Sequence, residues 1–161
     1  MEFGRILDVG LRSAYVASWY AAPLMVKQKN GLIAFTSSFG SSCYMHGPGY
    51  GAQKVGVDKF AKDMAVDLRA HNVAAVSIWM GMLRTDRTRR AMDRAAEQYA
   101  GFWDIAETPE FTGHILSAIY RDPKRALAID AAARIAQLPH VVMDAPPELS
   151  LFPFHLTWPG A

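Results

Sequence analysis

The sequence predicts an α/β protein with a small open parallel sheet, and three observations carry that expectation. Residues 31–38, "GLIAFTSS", and 72–79, "NVAAVSIW", are apolar runs without alternation, as in strands covered on both faces. A helical pattern precedes each run, and the stretch between them is long enough for a parallel crossover. The chain has 161 residues, 51% hydrophobic and 20% charged, which suits one globular domain with a sizeable core.

The first element is a long helix over 8–27, with Leu11, Tyr15, Ser18, Ala22 and Met25 along one face and Val16 and Trp19 widening it. Asp8 is placed to cap it. Pro23 should loosen its last turn, and Asn30-Gly31 should end it. The strand "GLIAFTSS" follows. Residues 39–49 hold Gly40, Gly47, Pro48 and Gly49 and read as a loop.

A second helix is expected from about Gly49 to His71, with Val57, Phe60, Ala61, Met64 and Leu68 inward. The second strand comes next. A helix over 87–100 carries Arg87, Arg89, Arg90 and Arg94, read as a solvated face. Thr108-Pro109-Glu110 opens another helix to about Tyr120, with Thr108 as cap and proline at the first position. "RALAIDAA" (125–132) suits a short edge strand or more helix. The proline-rich tail from Pro139 should lie irregularly over the body. No internal repeat or linker is visible, so 1–161 reads as a single domain.

The totals narrow the function. Seventeen Lys and Arg against fifteen Asp and Glu leave +2, too mild to imply nucleic acid or an anionic membrane. Cys43 is the single cysteine, so no internal disulfide forms and the thiol reads as structural. Five scattered histidines give no metal-ligand spacing. Apolar stretches break before membrane-spanning length, and the N-terminus lacks a signal-peptide pattern. A cytoplasmic protein without metal, nucleic-acid or membrane partner is expected.

The segment "HGPGYGAQKVGV" (46–57) admits two chemistries. Gly47, Gly49 and Ala52 fit the G-x-G-x-x-G/A turn that cradles a pyrophosphate. That turn should leave a strand directly and be followed by an acid ending the next strand. Here a loop intervenes, and Asp67, the acid at that distance, falls in a helical pattern. Tyr50 and Lys54 instead share a helix face at i, i+4. Ser37 and Ser38 lie at a strand's carboxyl end, where open α/β sheets bind ligands. A serine hydroxyl can hold a substrate oxygen, and an ammonium beside a phenol favours the phenolate. Alone, Tyr50 and Lys54 read more readily as a surface pair; the strand end beside them favours acid–base chemistry.

"TSSFGSSCYMHGPGYGAQK" resembles the serine and Tyr-x-x-x-Lys of the short-chain dehydrogenase/reductase family. "VAAVSIWMGMLRT" is similar to the family's strand and following Pro-Gly-x-Val-x-Thr. "TPEFTGHILSAIYRDP" resembles the next helix, particularly in a subgroup near dehydrogenase/reductase family member one. "DVGLRSAYVAS" resembles the helix bearing the family's catalytic asparagine. The similarity runs from residue 5 to about 125, strongest over 8–125, with 126–161 a divergent tail. It implies a partial Rossmann-like, doubly wound sheet lacking the N-terminal nucleotide-binding half, an expected truncation or misplaced start.

The resemblance also implies roles. Tyr50 would be the acid/base, and Lys54 would lower its pKa and bind the cofactor ribose. Ser38, twelve residues before Tyr50, best fits the catalytic serine, with Ser37 the competitor. Tyr50, Lys54, Leu83 and Thr85 would contact NAD or NADP, bound weakly without the missing half. The substrate would be a small alcohol or carbonyl compound. Helices 8–27 and 49–70 would pair in a homo-oligomer, and an inactive fragment working only through that pairing is the alternative function. Asp8 stands at the family's asparagine and should perturb Lys54 or interrupt a proton relay. Met80 replaces a proline and should loosen the cofactor turn. The glycine-led strand expected after "RDP" is not evident in "KRALAIDAAARIA".

Overall fold

The computed structural model describes residues 2–94 and 101–122. The sequence expectations for "RALAIDAA", the tail and the end of the 87–100 helix lie outside them. The described elements are α1 (Glu2–Leu7), a π-helical segment (Asp8–Arg12), α2 (Ser13–Gln28), β1 (Gly31–Ser37), a 3-10 turn (Phe39–Ser41) and α3 (Pro48–Arg69). β2 (Val73–Trp79), α4 (Asp86–Arg94), α5 (Phe102–Ile105) and α6 (Pro109–Arg121) complete them.

β1 and β2 pair in parallel, with Gly31 opposite Val73 and Ser37 opposite Trp79. The two-fold side-chain period then sorts the sheet into two faces. Ile33, Phe35, Val73 and Ala75 meet Val57, Ala61, Ala65 and Leu68 of α3, with Leu11, Ala14 and Met25 packed alongside. Ala74, Val76 and Ile78 meet Ile115, Leu116 and Ile119 of α6 on the other face. Val57 and Val73 are nearly inaccessible; burial of each contributes about 1.5–3 kcal/mol.

The expected inward set of α3 is right at Val57, Ala61 and Leu68, while Phe60 and Met64 are only partly buried and Ala65 completes the core. A small residue there lets the helix sit close to the sheet.

Two local expectations are corrected. Asp8 does not cap a helix, because "EFGRIL" is itself helical and the chain enters Asp8 already wound. Pro23 lies within α2, which continues to Gln28; Lys29, rather than Asn30-Gly31, ends it, in the left-handed capping position at φ 53°. Thr108 is the N-cap of α6 as expected, with extended backbone and Pro109 at the first position, and its side chain makes no capping bond.

Candidate active site

β1 ends at Ser37, and Ser38 continues extended, its hydroxyl accepting the Gly40 N–H at 3.2 Å to start the 3-10 turn. The loop returns through His46 (φ 53°) and Gly47 (φ 88°), two successive left-handed residues, into Pro48 at the first position of α3. That reversal sets Tyr50 on the first turn of α3, facing the strand end. The Tyr50 phenol and the Ser38 hydroxyl lie 2.9 Å apart. Gly40 makes this approach possible: a Cβ there would sit 2.5 Å from the Tyr50 ring. Ser37 is turned elsewhere, its hydroxyl reaching the Lys54 carbonyl at 3.5 Å. Of the two candidate serines, the structure brings Ser38 to Tyr50.

Lys54 follows one helical turn later, its ammonium 5.4 Å from the centre of the Tyr50 ring and donating to the Thr36 carbonyl at 3.3 Å. Burial pushes its pKa below the ordinary lysine value, and the Asp58 carboxylate partly opposes that. His46 stands edge-on to the Tyr50 ring at 5.1 Å.

The expected effect of Asp8 on Lys54 is corrected here. Asp8 is exposed, and its backbone carbonyl accepts the Ser13 N–H in the π segment; the carboxylate that acts on Lys54 is Asp58. Gln53, nearly buried beside Lys54, donates to the Gly10 carbonyl at 3.0 Å and ties the π segment to α3. Met80 does not loosen its turn either. Its N–H donates to the Ser37 carbonyl at 3.1 Å, a bond that proline cannot make.

Leu83 and Thr85 follow β2 on the chain. Leu83 forms an isolated parallel bridge with Glu107. The Thr85 hydroxyl accepts the Thr88 N–H at 3.2 Å, capping α4. Leu83 lies between the backbone bonds that join Met82 and Arg84 to Glu107, and the Thr85 N–H donates to the Leu83 carbonyl at 3.0 Å. The arginine run is not wholly a free face: Arg84 and Arg89 flank the Trp103 ring at 5.9 and 4.9 Å, and Arg84 also bonds the Trp103 and Asp104 carbonyls.

Asp58, Ser77 and Trp79 were not singled out by sequence, nor were Gly10 and Gln53. The signal for Asp58 was its i, i+4 spacing from Lys54. Ser77 and Trp79 share one strand face by alternation, but pairing them with Asp58 requires the register of α3 on β2.

The residues present fit the nicotinamide end of a dinucleotide: a half-buried ammonium, paired hydroxyls, and two backbone-fixed positions after the second strand. A short chain dehydrogenase family model matches residues 1–96. Human dehydrogenase/reductase SDR family member 1 is 39% identical over 125 residues, 73% of this chain and 40% of the human protein. This chain thus spans well under half the length of that relative. A short-chain type dehydrogenase/reductase from Mycobacterium ulcerans superposes with a TM-score of 0.55 at 28% identity, covering 61% of this chain and 37% of that one. A 3-oxoacyl-acyl-carrier-protein reductase from Brucella melitensis, solved with NAD, gives a TM-score of 0.51 at 26% identity, covering 56% and 35%.

Proposed function

This chain belongs to the short-chain dehydrogenase family, and from that premise we propose that it is the catalytic half of a nicotinamide-dependent oxidoreductase acting on an alcohol or carbonyl. The observation that carries the reading is the 2.9 Å approach of Ser38 to Tyr50 with Lys54 on the same ring. Ser38 holds the substrate oxygen. Tyr50 gives that oxygen its phenolic proton in the reducing direction and takes it back in the oxidising one. Lys54 stabilises the phenolate between those events, and its ammonium is the group placed to hold a cofactor ribose. A bound nicotinamide supplies or accepts the hydride. Leu83 and Thr85 are the positions proposed to meet its carboxamide.

The test titrates the purified chain with NADH and NADPH and follows turnover on a panel of aldehydes and ketones. Tyr50→Phe should lower kcat by about 10²- to 10⁴-fold while leaving cofactor affinity near native. Absence of binding at millimolar cofactor would overturn the activity of this chain.

A second reading is favoured by α2, which carries no charged residue from Ser13 to Val26 yet exposes Trp19, Tyr20 and Leu24. A helix apolar on all sides is normally covered. It supports self-association through α2 and α3, with or without catalysis.

A further inference from the structure

Helix α3 contains two lysine–aspartate pairs of the same spacing and order, and they behave differently. Lys59 and Asp63 form an i, i+4 ion pair at 2.5 Å. Lys54 and Asp58 form none. The difference lies in what faces each aspartate. Asp63 is exposed, whereas Asp58 looks onto β2, where Ser77 and Trp79 occupy successive positions on one face. The Ser77 hydroxyl donates to Asp58 Oδ1 at 2.5 Å and the Trp79 indole to Oδ2 at 2.9 Å. Both carboxylate oxygens are therefore engaged, Ser77 is buried, and Trp79 is braced edge-on by Phe39 at 5.3 Å.

We propose that Ser77 and Trp79 are positioning residues that hold Asp58 away from Lys54, so that its ammonium stays on the Tyr50 ring and the Thr36 carbonyl. The consequence for the site is a division of labour. Asp58 acts on Lys54 through space and helps keep a half-buried ammonium charged, but does not capture it. β1 and β2 carry no ionisable side chain, so the sheet beneath Lys54 offers no other counter-charge. Released from Ser77 and Trp79, Asp58 would pair with Lys54 as Asp63 does with Lys59 and draw it along the helix, away from the phenol. This rests on the oxidoreductase reading for its catalytic consequence, but not for its geometry.

The experiment uses the full chain with Ser77→Ala and Trp79→Phe combined, the phenylalanine preserving the contact with Phe39. The Lys54 ammonium is titrated by NMR, assigned with Lys54→Arg, and kcat/KM is measured alongside. Capture should move the Lys54 midpoint up by about half a unit and lower kcat/KM about tenfold. Adding Asp58→Asn removes the captor: the midpoint should fall to or below the native one, and most of the lost kcat/KM should return. A purely structural role predicts the opposite, since the third substitution would only add damage. An unmoved midpoint in the double variant, or a triple variant as impaired as the double, overturns the proposal. If the native chain shows no turnover, the titration decides alone, so the two readings fail separately. Ser77→Ala by itself frees one carboxylate oxygen and decides the matter where the double variant does not fold.

Discussion

Lys54 is the residue where stability and chemistry oppose each other. Its burial disfavours the ammonium that the site requires, so its folded-state pKa lies below the ordinary lysine value. The linkage follows from that direction. Below the folded pKa the group is charged in both states, and folding bears the full cost. Between the folded and unfolded values the unfolded chain binds more protons, so stability rises with pH. Lys54→Met removes both the cost and the rise. Urea melts from pH 7 to pH 10.5 should show the native chain gaining stability on the alkaline side and the variant not. At pH 7 the variant's Tm should be unchanged or up to about 2 °C higher, with catalysis lost. A fall of several degrees would mean that the Thr36 bond and the ring contact outweigh the burial.

At the scale of elements, Met80 shows how a departure from a family pattern can be neutral or better. Restoring the proline by Met80→Pro deletes the bond to the Ser37 carbonyl that closes the β1–β2 ladder beside Ser38. The expected cost is about 1 kcal/mol in a urea melt; an unchanged midpoint would show that the bond contributes nothing. The same elements show what sequence could carry. Unbroken apolar runs identify both strands, but only β2 is covered on two faces as such a run implies; β1 leaves Ala34 and Thr36 exposed. Pro109 marks the start of α6 because it lacks a donor the first turn would waste. That a strand-end serine would meet Tyr50 was legible because a strand end and a first helical turn each leave little freedom; the preference for Ser38 over Ser37 came from the family resemblance. The π segment was not, since nothing in "DVGLR" distinguishes a widened turn from an α-helical one until Gln53 is seen bonding the Gly10 carbonyl. A Cβ on Gly10 would lie 2.6 Å from that same side chain. Nor was the grip of Ser77 and Trp79 on Asp58, because it depends on which turn of α3 crosses which residue of β2.

At the scale of the molecule, the face opposite the sheet on α2 is the feature least reconciled with a lone chain. Val16, Tyr20 and Leu24 repeat at four-residue spacing, and all are exposed, Tyr20 and Leu24 by 72% and 63%. Tyr15 links Trp19 to α3 through tilted ring contacts, its centre 6.2 Å from Trp19 and 5.4 Å from Phe60. Trp19 is 65% exposed, so it contributes little to the fold it sits on. A large exposed aromatic side chain, on a helix uncharged from Ser13 to Val26, is the composition of an interface centre. If a second copy covers this face, Trp19→Lys should leave helix content and Tm near native, while raising the dissociation constant by at least about thirtyfold. Circular dichroism at a concentration where both chains are monomeric reads helix content and Tm, and sedimentation equilibrium across a concentration series reads the constant. A native chain that sediments as a monomer at every concentration would remove the interface, and an unchanged constant in the variant would place it elsewhere on the surface.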